Sequence, residues 1–383
     1  MNETHLTQHS TLDKLQNVLT HLKQIFVGKD EIIDLMGICL VARENLFLLG
    51  PPGTAKSATV RELSKMIEGQ TFEYLLTRFT EPNELFGPFD IRKLREGDLV
   101  TNTEGMLPEA SLIFLDELLN ANSAILNSLL MVLNERVFRR GRETKKLPAL
   151  MVIGASNHLP EDEALQALFD RFLIRVKSDN VDPQELEAVL NAGWMLEQKS
   201  GLDQPKISID EIKSLQETTA LIDLQEIRPA YIELIHKMRN AGLQVSDRRA
   251  VKLQRVIAAS ALICKRSKAI ISDLWILKHI WDTEEQREII SNIVEVIIAA
   301  DPSKQQHPRA QENTKPDAEE IYKEVKELTA QWELPDTSMS TRSLIKDRLT
   351  HLNNRCEWIG NEEQRKYVQE PIDQLWKQIM QTA

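Results

Sequence analysis

Short apolar runs alternate with amphipathic stretches through the first half of the chain. After the first run, for example, Val60, Leu63 and Ile67 recur at the spacing of one helix face. Strands and helices in alternation predict an α/β fold, in which a parallel sheet is covered by helices on both faces. The runs that we expect to form strands span residues 46–49, 72–76, 112–115, 150–155 and 172–176.

Two segments interrupt this alternation, at residues 87–108 and 137–148. Each contains turn residues between short β-like runs. Both are therefore predicted to be β-hairpins inserted into the core.

Beyond residue 182 the pattern becomes helical, and four domains are expected. An αβα core at 1–182 is followed by an all-α lid at 183–300. The segment 301–316 is rich in polar residues and proline, as linkers are, and 317–383 is predicted to be a bundle of three amphipathic helices. Stripes of this kind more often form a bundle's own core than a partner site. They comprise Ile321, Val325, Leu328 and Trp332, then Ile345, Leu349, Leu352, Cys356 and Ile359, then Ile372, Leu375, Trp376 and Ile379.

A segment rich in glycine and proline lies between the first predicted strand and a helical pattern. Glycines let the backbone curl around an anion, and the start of a helix aims free N–H groups at it. Lys56 is then placed to meet the outer phosphates of a nucleoside triphosphate, and Ser57 to ligate Mg²⁺. Ala55 replaces the second glycine of the G-x-x-x-x-G-K-[ST] pattern, and its methyl group disfavours a left-handed backbone. The predicted nucleotide-binding residues of this loop are Gly50, Pro51, Pro52, Gly53, Thr54, Ala55, Lys56, Ser57 and Ala58.

Two carboxylates, Asp116 and Glu117, directly follow the apolar run at 112–115. In a Walker B strand the aspartate holds Mg²⁺ through water and the adjacent glutamate polarises the attacking water. The alternative is an acidic pair at a helix N-terminus. The phosphate-binding loop upstream favours the catalytic interpretation.

Composition limits the partners of this chain of 383 residues. Its net charge of −11 argues against a broad nucleic-acid footprint, which requires a basic domain or stripe. The polar N-terminal stretch and the absence of any apolar run near eighteen residues predict a cytoplasmic protein without membrane insertion.

One local positive cluster surrounds Gly141 in the second predicted hairpin. It is compatible with a grip on a substrate and with an ordinary solvated hairpin, and the sequence leaves both open. The cluster comprises Arg136, Arg139, Arg140, Arg142, Lys145 and Lys146.

Taken together, these motifs resemble those of AAA+ ATPases of the MoxR family, most closely its RavA-type members. The resemblance covers roughly residues 10–300, and alanine before the loop lysine is usual in this family. It is carried by GPPGTAKS at 50–57, TRFTEPNELFGP at 77–88, FLDEL at 114–118, LNER at 133–136, GASN at 154–157, DRF at 170–172 and VSDRR at 245–249.

The resemblance implies roles for residues outside the loop. Asn157 is similar to the sensor 1 residue that orients the attacking water, with an ordinary turn asparagine as the alternative. Arg171 resembles the arginine finger that enters a neighbouring subunit's site, with a surface Asp–Arg pair as the alternative. Arg248 resembles sensor 2, which touches the γ-phosphate from the same subunit, although the adjacent Arg249 is also a candidate.

Val27 and Gly28 lie where this family packs a loop around adenine. The full set of predicted site residues then has three parts. Val27, Gly28 and the loop from Gly50 to Ala58 bind the nucleotide. Ser57 and Asp116 hold the metal. Catalysis is assigned to Lys56, Glu117, Asn157, Arg171 and Arg248.

The function that the resemblance implies is that of a hexameric, ring-forming ATPase, which uses ATP and Mg²⁺ to remodel protein clients. Movement of the lid about a hinge near residue 183 would transmit the energy of hydrolysis to the client. Two alternatives are an ATP-gated scaffold that recruits partners through its C-terminal helices and a motor that acts on nucleic acid through the basic hairpin. RavA-type relatives carry an additional, mostly β domain that this chain lacks, so their partners are not transferred. A von Willebrand A-domain protein is one candidate partner.

Overall fold

The chain forms two compact units, Met1–His307 and Pro308–Ala383. The computed structural model describes residues 2–96, 99–140, 143–160, 162–181, 185–198, 204–301, 307–312, 318–332 and 362–381, together with short stretches between 342 and 356. Gly141, Arg142 and Ile359, which figured in the sequence predictions, lie outside the described residues, as does most of the predicted linker.

A parallel five-stranded sheet forms the centre of the first unit, with the strand order β3-β4-β7-β1-β8. The α/β prediction is confirmed, and the five strands begin and end within two residues of the predicted runs. The described strands are β1 (Leu46–Leu49), β2 (Ile67–Glu68), β3 (Thr71–Leu75), β4 (Leu112–Asp116), β5 (Val137–Arg140), β6 (Glu143–Lys146), β7 (Met151–Ser156), β8 (Ile174–Lys177) and β9 (Ile207–Ser208).

Helices surround this sheet and make up most of the rest of the chain. Three 3₁₀ helices span Leu107–Glu109, Leu118–Asn120 and Ile271–His279. The described α-helices are α1 (Asn2–Ile25), α2 (Asp30–Ala42), α3 (Lys56–Met66), α4 (Pro82–Phe86), α5 (Ile91–Arg95), α6 (Ser123–Glu135), α7 (Glu163–Phe169), α8 (Leu186–Gln198), α9 (Ile209–Thr219), α10 (Arg228–Asn240), α11 (Asp247–Ile263), α12 (Glu284–Ala299), α13 (Pro308–Glu312), α14 (Ala318–Trp332) and α15 (Glu362–Gln381).

The interior strand β1 sets the register of its part of the sheet. It is fully buried and pairs in parallel with β7 on one side and β8 on the other. Leu49, its last residue, is level with Ser156 of β7 and Lys177 of β8. Segments that leave the carboxyl ends of these strands therefore emerge at one edge of the sheet, where ligands bind in open α/β sheets.

The two predicted insertions differ in form. The second is the expected hairpin, because β5 and β6 pair in an antiparallel ladder from Val137–Lys146 to Arg140–Glu143. The first is closed by one antiparallel bridge, between Phe89 and Thr101, and carries the short helix α5. It is a bridged loop with a helical turn, which the β-like appearance of its sequence did not predict.

The predicted lid packs directly on the N-terminal helices, so residues 1–307 form one continuous body. In buried contacts, Gln216 of α9 donates to the carbonyl of Leu40 at 2.8 Å, and α11 lies against α2. Within the described part of 183–300 the regular elements are helices apart from β9, which pairs in parallel with β2 next to α3. The boundary at 182/183 stays a prediction.

The second unit has its own hydrophobic core, as the sequence predicted. α14 and α15 contribute to it together with helical residues between 342 and 356. All of the stripe residues that the structure describes pack into this cluster, and Trp376 covers its margin. In the described part of the chain, no helix combines the length and the apolar character needed to cross a membrane.

The loop between β1 and α3 contains two positions with unusual backbone requirements. A Cβ at Gly50 would lie 2.1 Å from the carbonyl oxygen of Ser178, so only glycine fits there. Ala55 adopts a left-handed conformation, with φ 64° and ψ 17°, immediately before α3. Its methyl group disfavours this conformation but does not prevent it, and the fold holds Ala55 in the conformation that the missing glycine would have taken.

We expect Ala55→Gly to raise the free energy of unfolding by about 0.5–1 kcal/mol. The left-handed conformation costs an L-residue about 1–2 kcal/mol, and the greater freedom of glycine in the unfolded chain offsets part of the gain. Urea unfolding followed by circular dichroism measures the difference. Ala58→Gly, inside α3, is the matched control and should lower stability by about 1 kcal/mol. Equal losses in the two variants would contradict a strained Ala55.

Candidate nucleotide-binding site

The loop Gly50–Ser57 presents backbone N–H groups at the carboxyl edge of the sheet. Ala55 caps α3 without a side-chain hydrogen bond, so the first N–H groups of this helix, through Ala58, remain available to an anion. A Cβ at Gly53 would meet nothing within 4 Å, so the loop is open at this position. Thr54 is buried and its hydroxyl donates to the carbonyl of Pro51 at 3.0 Å, which holds the loop in its curve.

The ammonium group of Lys56 points back into the loop. It donates to the carbonyl oxygens of Gly50 at 2.5 Å and Pro51 at 2.9 Å, and to Oδ1 of Asn157 at 3.0 Å. Burial lowers the pKa of Lys56, and the charges of Asp116 and Glu117 oppose that shift. A cation held by neutral carbonyls can exchange them for phosphate oxygens at little cost in geometry.

Ser57 and Asp116 form the pair that a magnesium site requires. The hydroxyl of Ser57, in the first turn of α3, donates to Oδ2 of Asp116 at 2.7 Å. Asp116 is the last residue of β4, so parallel pairing brings it to the same edge as the loop. A hydroxyl and a carboxylate in contact beside a phosphate-binding loop are hard oxygen ligands, and these residues fit Mg²⁺.

Glu117 lies in a polar pocket beside these groups. Its backbone is left-handed, with φ 50°, and its carboxylate accepts a short hydrogen bond from Nδ2 of Asn157. Nδ2 of Asn120 lies 3.5 Å from its other oxygen. Burial raises the pKa of Glu117, and the neighbouring Asp116 raises it further. Asn157 thus touches both Lys56 and Glu117, as a residue that orients a water between them would.

The segment Val27–Gly28 lies near this site, between α1 and α2. Gly28 has φ 71°, and a Cβ there would lie 2.9 Å from Val181 and from Glu185. The next residue, Lys29, is buried and donates to the carbonyl of Asp179. Burial lowers the pKa of Lys29, and the charge of Lys56 contributes to that shift. The sequence analysis did not single out Lys29.

Arg171 lies at the opposite edge of the sheet. It precedes β8, and its carbonyl accepts from Nδ2 of Asn45 at 2.9 Å, just before β1 begins. Five residues of extended chain, roughly 16 Å, separate Asn45 from Gly50. The Arg171 side chain has no hydrogen-bond or ion-pair partner among the described residues, and its Nε is buried.

Arg248 shares this second location, which corrects one prediction. With Arg171 it lines a cavity of about 750 Å³, whereas sensor 2 was expected to reach the phosphates of its own subunit. Arg248 is exposed and makes no hydrogen bond or ion pair within the described structure. The Arg249 guanidinium donates hydrogen bonds to Asp282, at 3.1 Å, and to the carbonyl of Ile280. Of the two candidates, Arg248 is therefore the one that can bind a ligand.

The sequence analysis missed two structural residues here, Asp282, which lines the cavity, and its buried partner Arg175. Arg175 on β8 is fully buried and pairs with Asp282, 107 residues further along the chain. One signal was present: an arginine inside the otherwise apolar run 172–176 needs a buried partner. The identity of that partner could not be read from the sequence.

Several charged side chains of the basic hairpin form hydrogen bonds or ion pairs with other residues of this chain. Arg136 is buried, and its Nη2 donates to Oδ1 of Asn45 at 2.6 Å. Arg140 donates to Asn83 at 2.7 Å, and Lys145 lies 2.9 Å from Glu109. Of the two interpretations left open, these contacts favour the structural one.

Comparison with known protein families gives two matches along the chain. Residues 13–217 match the model described as the MoxR domain in MoxR-vWA-beta-propeller ternary systems. Residues 221–294 match a model of an AAA lid domain. The matched lid begins after α9, later in the chain than residue 183.

Similar proteins occur in archaea and bacteria. The chain is 36% identical over 287 residues to an uncharacterized protein, MJ0079, of Methanocaldococcus jannaschii, covering 74% of each chain. It is 25% identical over 217 residues to the chaperone MoxR1 of Mycobacterium tuberculosis, covering 56% of this chain and 54% of that one.

A solved structure shares the fold. It is a protein of Cytophaga hutchinsonii, provisionally described as an ATPase, that superposes with a TM-score of 0.61 at 19% identity, covering 79% of this chain and 98% of that one. The family match spans more than half of the 383 residues and continues into the lid. The chain belongs to the MoxR family of AAA+ ATPases.

Proposed function

We propose that this protein is a ring-forming ATPase, hexameric and closest to RavA-type members, that hydrolyses ATP to ADP and phosphate to remodel protein clients. One observation carries the proposal. Arg171 and Arg248, whose side chains have no partner among the described residues, share a cavity at the sheet edge opposite the phosphate loop. They are placed to contact the nucleotide of an adjoining copy. Each active site would then be complete only after the subunits assemble.

Within one subunit, each group of the site has a separate task. Lys56 and the N–H groups of the loop bind the phosphates, and Val27–Gly28 borders the base. Ser57 and Asp116 would hold Mg²⁺, which when bound neutralises phosphate charge. Glu117 accepts the proton of the attacking water, which Asn157 orients while the bond between the γ-phosphorus and the β–γ bridging oxygen breaks. The neighbour's Arg171 and Arg248 stabilise the charge that develops on the departing oxygen.

An exposed apolar stripe supports self-association near the nucleotide. α8 begins directly after Glu185, which lies against Gly28, and it carries four large apolar side chains that are more than half exposed. Contiguous apolar surface of this kind is typical of interaction sites. We assign it to the contact between neighbouring subunits. The stripe comprises Leu186, Leu190, Trp194 and Met195.

Client remodelling rests on the comparisons. The matched domain is described from systems that include a vWA protein and a β-propeller, and one relative is a named chaperone. A von Willebrand A-domain protein is therefore our proposed partner, in the cytoplasm. The bundle predicted at 317–383 is the proposed docking element, because it lies in the compact unit Pro308–Ala383, which has a hydrophobic core of its own.

We expect Arg171→Ala to lower kcat about 10³-fold or more, as loss of an arginine finger does, while ATP binding is retained. Arg248→Ala should also lower kcat. Steady-state hydrolysis and titration with a fluorescent ATP analogue separate the two effects. Lys237→Ala is the control, because Lys237 is exposed and pairs with Glu233 outside the cavity. Wild-type hydrolysis by Arg171→Ala would refute the proposed completion of the site.

We expect Leu190→Glu to shift the ATP-bound assembly towards smaller species, because it places a charge in the apolar stripe of α8. Light scattering after size-exclusion chromatography measures the mass. Leu221→Glu changes an isolated leucine that is 78% exposed and should leave the assembly intact. An unchanged mass for Leu190→Glu would remove α8 from the subunit contact.

We expect Glu117→Gln to bind ATP without cleaving it and to retain its client. Mass spectrometry of material that co-purifies in ATP but not in ADP identifies the client. A defined protein that is lost on deletion of 317–383 supports remodelling through the bundle. Recovery of nucleic acid favours a motor instead, and recovery of the chain alone favours a self-assembling scaffold.

A further inference from the structure

Asp282 lies between two arginines that come from different parts of the chain. Nη1 of Arg175, on β8, and Nη1 of Arg249, on α11, both contact its Oδ1, the latter at 3.1 Å. Arg175 is completely buried, and the Asp282 side chain is only 16% exposed. One carboxylate thus joins the central sheet to the helical region.

On the sheet side, Arg175 holds the turn that carries Arg171. Its Nη2 donates to the carbonyl of Phe169 at 3.3 Å and lies 3.7 Å from Oδ1 of Asp170. Its guanidinium also lies 4.1 Å from the centre of the Phe169 ring. Arg171 is the next residue, so the backbone that presents it is anchored to Arg175.

On the helical side, Arg249 holds the start of α11. Its backbone N–H donates to Oγ of Ser246 at 3.2 Å, and its guanidinium also contacts the carbonyl of Ile280. Arg248 directly precedes it and shares that first turn. The orientation of Arg248 therefore depends on the contact between Arg249 and Asp282.

Electrostatics makes the carboxylate necessary. Burial and the charge of Arg249 together lower the pKa of Arg175 to about 10, although Asp282 opposes both effects. Arg175 therefore stays charged at neutral pH. Removal of the central charge leaves Asp170, half exposed and 3.7 Å from Arg175, as the remaining counter-ion among the described residues. The repulsion between the two cations then favours separation of α11 from β8.

We propose that Asp282 is a positioning residue that fixes Arg171 and Arg248 as one unit, directed at the nucleotide of the neighbouring copy. The inference rests on the function proposed above and adds to it a residue that touches no nucleotide. It predicts that both arginines lose their effect together when the carboxylate is neutralised.

We expect Asp282→Asn to lower kcat about 10²-fold, because small displacements of catalytic groups have effects of this size. Affinity for a fluorescent ATP analogue should be unchanged, since the phosphate loop lies at the other edge of the sheet. Added to the double variant Arg171→Ala/Arg248→Ala, Asp282→Asn should lower kcat no further. A full further decrease would show that Asp282 acts independently of these arginines.

Asp273→Asn is the matched control. Asp273 is another carboxylate paired with an arginine, Arg266, at 2.6 Å; it is fully buried, and neither residue lines the arginine cavity. We expect it to lower thermal stability while kcat of the folded protein stays near wild type. An equal loss of kcat in both variants would assign the Asp282 effect to general destabilisation. If Asp282→Asn does not fold, Arg249→Met replaces it and should show no additional loss when combined with Arg248→Ala.

Mixed assemblies separate this inference from the function on which it depends. Lys56→Ala subunits cannot bind ATP but keep an intact arginine edge, so mixing them with Arg171→Ala subunits should restore hydrolysis. Asp282→Asn subunits mixed with Lys56→Ala should recover in the same way. If hydrolysis recovers only in the mixture that contains Arg171→Ala subunits, the proposed role of Asp282 is wrong. If it recovers in neither mixture, the active site is not shared between subunits.

Discussion

Parallel pairing of β1 with β7 and β8 is the constraint on which the rest of the structure depends. Because neighbouring strands run in one direction, the segments after β1, β4 and β7 leave the sheet at the same edge. That edge gathers the phosphate loop, the acidic pair and Asn157. Segments that precede strands lie at the other edge, and Arg171 lies in the segment that precedes β8. Strand direction alone therefore divides the proposed catalytic groups into two sets.

Buried polar side chains maintain this division. Asn45 binds the carbonyls of Leu133 and Arg171 and accepts from Arg136, all at the start of β1. Arg175 has a similar role one strand away, towards Asp282. Such groups are costly to bury unless each is bonded, so the positions of their partners are narrowly defined. The fold uses these contacts to hold the turns that present its free arginines.

The packing of the helical region limits how the protein can move. α9 and α11 lie against α2, and Gln216 bonds to the backbone of Leu40 inside this contact. Rotation about residue 183 alone would have to break these buried contacts. A movement that carries α1 and α2 together with the lid preserves them, and the pair of short strands β2 and β9 would then lie at its boundary.

The sequence by itself determined the sheet strands, the phosphate loop and the acidic pair, because each is encoded within a few consecutive residues. Fully buried strands appear as continuous apolar runs, and the chemistry of the loop depends on its own glycines, Lys56 and Ser57. The second unit was equally readable from helical periodicity. For the same reason, the core of the candidate site could be predicted before its geometry was known.

Only the tertiary structure decided which groups share a location. Arg248 was assigned to its own subunit's phosphates, but the packing of α11 places it with Arg171. Arg175 and Asp282 are 107 residues apart, and no local pattern links them. The left-handed Ala55 is likewise imposed by its surroundings. Local sequence encodes the type and direction of an element, whereas contacts between distant residues arise only when the elements pack.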